Sequence, residues 1–75
     1  HVMEYLWKAA HCFHDPGSNE ARAWVTERAR MLLEGADPSQ VAAGMRRSAT
    51  RQGLTQRKAV DVCARYLKKR RATMR

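Results

Sequence analysis

The sequence predicts an all-α fold, a compact bundle of about four short helices over approximately residues 2–14, 19–34, 38–52 and 56–70. Three observations carry that expectation. Apolar residues recur every three or four positions in each segment, the spacing that lines one face of a helix. Pro, Gly and capping side chains fall mostly between the segments. No stretch shows the two-residue alternation of a half-buried strand. With 75 residues the chain is read as one domain, 1–75, and a domain this short buries only roughly 60% of its extended surface.

The first segment carries Met3, Leu6, Trp7, Ala10 and Phe13 at helical spacing, and Asp15-Pro16-Gly17-Ser18 ends it. The second restarts with Ser18 or Asn19 as its cap and places Ala21, Trp24, Val25, Ala29, Leu32 and Leu33 inward. Gly35 fits the left-handed position after a helix. The third has the clearest start: Asp37 caps, Pro38 takes the first helical position, and Gln40 is spaced to reach back. Val41, Ala42, Met45 and Ala49 face inward, and Gly53 closes that helix. Leu54 and Thr55 then supply a hydrophobic lead-in and a cap for the fourth helix, which is expected to bury Ala59, Val62, Cys63 and Tyr66. Gly44, inside the third helix, reads as a point of close packing for Trp7 or Trp24, both taken as core anchors.

Charge is the strongest compositional signal. Lys and Arg total 15 against 7 acids, a formal net charge of +8. Residues 1–37 hold four basic and six acidic residues, net −2, whereas residues 38–75 hold eleven basic residues and one acid, Asp61, net +10. A half so one-sided attracts polyanions. The candidate phosphate contacts are Arg46, Arg47 and Arg51 on one side of the third helix, Arg57 and Lys58 opening the fourth, and Lys68, Lys69, Arg70 and Arg71 at its end. Helix, short Gly-containing turn and helix is also the outline of a helix-turn-helix, with Arg57 positioned to read bases.

Other chemistries fit less well. His1, His11, Cys12, His14 and Cys63 are zinc-type ligands, but Cys12 points about 100° from His11 and no CxxC or HxxxH spacing occurs, so no metal site is expected. Cys12 and Cys63 read as reduced thiols on a core stripe. Cys12 and His14 lie two apart, which rules out a facing nucleophile and base on one helix. Glu20, Glu27 and Glu34 form a solvated stripe among Arg22, Arg28 and Arg30. No run approaches the ~18 apolar residues of a membrane span, so no membrane partner is expected.

One pattern goes beyond residue types. His1-Val2-Met3-Glu4-Tyr5-Leu6-Trp7-Lys8-Ala9-Ala10 resembles the His-Val-Leu-Glu-Tyr-Leu-Trp-Lys-Ala-Ala segment of bacterial insertion-sequence transposases of the Kra type. These belong to the DDE superfamily, with a ribonuclease H-like catalytic core. The likeness continues through Cys12-Phe13, Glu20-Ala21-Arg22-Ala23-Trp24-Val25, Leu33-Glu34-Gly35, Val41-Ala42-Ala43-Gly44-Met45-Arg46-Arg47, Ala49-Thr50-Arg51-Gln52-Gly53-Leu54 and, more weakly, Cys63-Ala64-Arg65-Tyr66-Leu67.

The resemblance implies an internal segment lying between the second catalytic Asp and the Glu. His1 matches the His of the family's Asp-x-x-His motif, and the metal-binding carboxylates fall outside this chain. Two-metal phosphoryl transfer needs those carboxylates to hold ions ~4 Å apart. The chain alone is therefore expected to be inactive, with no catalytic or metal-binding residue and no cofactor of its own, although Mg is implied for the whole family. The implied partner is DNA, bound through its phosphates, together with a second protomer or the transposase catalytic core. The implied setting is a bacterial cytoplasm, at the nucleoid. A stand-alone helix-turn-helix binder and a purely structural oligomerisation module are the competing expectations.

Overall fold

The computed structural model describes residues 2–73, with side chains through Lys69. Four helices follow in order, α1 (Val2–Phe13), α2 (Asn19–Leu33), α3 (Pro38–Arg51) and α4 (Lys58–Thr73), and the described residues contain no strand. The expected all-α bundle is what forms, and the first three helices lie within a residue of their expected bounds.

The caps explain that agreement. Ser18 Oγ accepts from the Ala21 amide at 3.1 Å and donates to the Asp15 carbonyl at 2.7 Å, which ties the α1–α2 turn to the start of α2. The Asp37 carboxylate accepts from the Ser39 amide at 2.9 Å, with Pro38 entering α3 where no amide donor is needed. Both α2 and α3 end in Schellman motifs. Ala36 N–H donates to the Met31 carbonyl and Gly35 N–H to Leu32. Leu54 N–H donates to Ala49 and Gly53 N–H to Thr50. Gly35 at φ +93° and Gly53 at φ +67° adopt the left-handed conformation each motif requires.

Packing joins these helices through one core. Leu6, Ala9 and Ala10 of α1 meet Ala21, Trp24 and Val25 of α2 and Val60, Cys63, Ala64 and Leu67 of α4, while Val41, Ala42, Met45 and Ala49 of α3 close the other side of α4. The small residues let α1 and α4 lie close together at the centre. Tyr5 and Tyr66 stack across that pair with centroids 4.2 Å apart, and Phe13 stacks on Trp24 at 5.4 Å. Contacts between α2 and α3 are sparse, so a groove stays open between them.

Several expectations change. The inward face of α4 is Val60, Cys63, Ala64 and Leu67, with Ala59, Val62 and Tyr66 only half-buried on its flank. The two stripes share Cys63 and differ by one residue, about 100° of rotation. Packing against both α1 and α3 selects the stripe containing Leu67. Helix α4 begins at Lys58 rather than near residue 56. Thr55 is not its cap, because the first helical turn closes from the Asp61 amide to the Arg57 carbonyl at 3.0 Å. Leu33 is 87% exposed and Met3 42% exposed. One residue beyond Leu32, Leu33 has rotated off the core stripe just before Gly35 reverses the chain. Trp24 is buried as expected, but Trp7 is half-buried. Gly44 packs against neither tryptophan: a Cβ built there meets nothing within 4 Å.

Candidate nucleic-acid interface

The cations of the second half separate into three groups once α3 and α4 are packed together. The first is committed within the protein. Asp61 turns one carboxylate oxygen to Arg46 Nε at 3.4 Å and the other to Arg57 Nε at 3.7 Å. Arg57 also donates from Nη1 to Thr50 Oγ1 at 2.8 Å and from Nη2 to the Arg46 carbonyl at 3.3 Å. Arg57 precedes α4 yet reaches back over the last turns of α3, so its guanidinium staples the connection between the helices. These side chains are partly exposed, which places each ion pair in the range of about 0.2–1 kcal/mol.

The second group faces outward on α4. Lys58, Arg65, Lys68 and Lys69 are exposed. Lys58, Arg65 and Lys69 are spaced by seven and four residues on the side opposite Val60, Cys63, Ala64 and Leu67. At 1.5 Å rise per residue these intervals are about 10 and 6 Å, which makes a single basic ridge along the helix. Arg65 is not among the cations expected from the sequence because it stands apart from the visible runs. Its position close to a whole number of turns from Lys58 and Lys69 is the signal that could have found it.

The third group, Arg47 and Arg51, lies on α3 at the edge of the α2–α3 groove. Arg46 does not share their side. It is about 100° from Arg47 around the helix and turned to α4. The side chains of Arg70 and Arg71, and all of His1, lie outside the described residues.

The other sequence candidates take ordinary positions. His11, Cys12 and His14 line a shallow cleft at the end of α1 with Asp15, Ser18 and Glu20, and Cys12 Sγ donates to the Lys8 carbonyl at 3.8 Å. Cys63 is fully buried in the core, where desolvation pushes its thiol up to about 11. Among the described residues no three His, Cys, Asp or Glu side chains converge as metal ligands. Arg28 lies over the Trp24 ring at 4.3 Å and donates to the Trp24 carbonyl at 3.3 Å. Burial lowers its pKa, opposed by the charge of Glu27 at 3.8 Å.

The link from α3 to α4 spans residues 52–57, longer than the three or four residues typical of a helix-turn-helix. No helix among the described residues is long and apolar enough to cross a membrane. No protein-family model, curated protein or solved structure matches the chain.

Proposed function

We propose that this chain is a DNA-associated helical module that holds nucleic-acid phosphates on the outer ridge of α4. One observation carries the reading. Asp61, the sole acid among residues 38–75, is engaged on both oxygens by Arg46 and Arg57. Although Asp61 lies one turn from both Lys58 and Arg65, its ion pairs among the described residues go to Arg46 and Arg57. That leaves the ridge cations without an internal carboxylate partner among those residues and available to an external anion. Phosphate contacts of this kind position a protein on a duplex without reading sequence. A base-reading helix-turn-helix is the weaker reading, since Arg57 commits its guanidinium to α3.

The resemblance to DDE transposases supports a setting for the module. It would contribute DNA or protomer contacts to transposition while carboxylates outside these residues perform the metal-dependent chemistry. No residue of this chain is given a catalytic role.

Duplex binding measured from low to moderate salt tests the ridge. Replacing Lys58, Arg65 and Lys69 together by Gln is expected to reduce the log–log salt slope by about 0.9 for each phosphate the ridge no longer neutralises. An unchanged slope removes the ridge from the interface, and no binding by the unsubstituted chain removes the DNA reading itself. Translation of the encoding locus tests the setting. The expected outcome is an in-frame Asp three residues before His1 and a Glu motif downstream of Arg75.

A further inference from the structure

The groove between α2 and α3 is used neither by the core nor by the α4 ridge. Its accessible apolar side chain is Met31, 38% exposed, set over the buried Val41 and Met45, with Gln40 and Ser48 beside them. Gly44 faces it with nothing within 4 Å of where a Cβ would stand. Three guanidinium groups border it, those of Arg47 and Arg51 on α3 and Arg28 on α2. Among the described residues the one carboxylate lining it is Glu27, already within 3.8 Å of Arg28. The rim is thus net +2 around the exposed Met31.

We propose that this groove docks an amphipathic acidic helix of a partner protein, its apolar side chains against Met31 and its carboxylates against Arg47 and Arg51. The mixture of features selects the occupant. A phosphate backbone would use the arginines and gain nothing from the exposed Met31. The groove, at about 240 Å³, is smaller than the roughly 300–1,000 Å³ of small-molecule sites. It suits a few anchoring side chains projecting from a longer segment. A methionine side chain adapts to such anchors, and a helix laid in an apolar groove is a recurring recognition mode. A symmetric groove-to-groove pairing of two copies of this chain fits poorly, because it would bring a second net +2 rim against the first. The inference stands independently of the DNA reading and gives Arg47 and Arg51 a different task from the α4 ridge.

Fluorescence anisotropy with the full 75-residue chain tests it. The probe is a labelled synthetic helical peptide with leucines at i and i+4 flanked by glutamates. Saturable binding is expected, lost when the leucines become Ser or the glutamates become Lys. Gly44→Gln raises helix propensity, so the fold is not weakened, and projects a side chain into the groove. It is expected to weaken the peptide by about tenfold, near 1.4 kcal/mol, while duplex affinity stays unchanged. Arg47→Gln with Arg51→Gln, both exposed positions, should weaken the peptide and flatten its salt dependence. The proposal is overturned by absence of saturable binding, by equal affinity for the serine peptide, or by Gly44→Gln binding as the parent does. It is equally overturned if Gly44→Gln weakens duplex DNA as much as peptide, which would make the groove a nucleic-acid surface.

Discussion

Gly44→Ala should stabilise this protein, and the structure sets the size of the gain. Gly44 is the seventh residue of α3 and has no left-handed φ, so alanine adopts its conformation without strain. The added methyl meets nothing within 4 Å, which removes any steric penalty and most of any packing benefit. What remains is helix propensity, about 0.8–1 kcal/mol in favour of Ala. For a domain of this length that is a rise in Tm of roughly 4–8 °C. With an m-value near 1 kcal/mol/M, it is also a shift of about 1 M in the urea midpoint. Gly35→Ala is the control of opposite sign. At φ +93° the Schellman motif forces an L-residue into a conformation that costs about 1–2 kcal/mol, so that variant should melt earlier. Paired urea titrations followed by circular dichroism at 222 nm decide the matter. A Gly44→Ala variant no more stable than its parent would mean that the glycine serves close packing after all, and the open groove would not exist in solution.

The remaining expectations concern the core, the arginine staple and the buried thiol. Leu67→Ala removes a fully buried side chain and should cost about 2–5 kcal/mol, comparable with the ~3–5 kcal/mol such a small core supplies. Val62→Ala should cost less than about 1 kcal/mol, and a reversed ranking in denaturant titrations would return the inward face to the Val62 stripe. A double-mutant cycle of Arg57→Gln and Asp61→Asn should give a coupling of about 0.2–1 kcal/mol. A value above about 2 kcal/mol would show a pair far less solvated than its partly exposed side chains imply. Cys63 should resist alkylation in the native state at pH 8 while the less buried Cys12 reacts, and mass spectrometry of a brief iodoacetamide pulse reads the difference. Since the Cys63 pKa is raised from 9.0 to about 11, the native state retains its thiol proton where the unfolded chain has lost it. Stability is therefore undiminished by this group below pH 9 and falls as pH rises toward 11. A Cys63→Ala variant with the same alkaline loss would refute that assignment.

The chain determines by itself where α1 ends and where α2 and α3 begin and end, because those signals are local. Ser18, Asp37-Pro38, Gly35 and Gly53 each satisfy backbone groups within a few residues of their own position, so the turns could be found from spacing alone. The inward face of α3 was legible for a related reason: Val41, Ala42, Met45 and Ala49 form one unambiguous stripe. Where two stripes compete, as with Val60 and Leu67 against Val62 and Tyr66, helical periodicity alone has no preference, and the choice falls to the two neighbours packed on α4. The start of α4 escaped for want of a local cap, since Arg57 anchors it by reaching eleven residues back to the Arg46 carbonyl. The same limit governs the basic half. Its net charge is a property of the sequence, whereas the division into locked Arg46 and Arg57, groove-side Arg47 and Arg51, and the open α4 ridge is decided by how α3 lies against α4. A side chain's availability to a ligand depends on which partner it meets in space, and that meeting is written only in the tertiary structure.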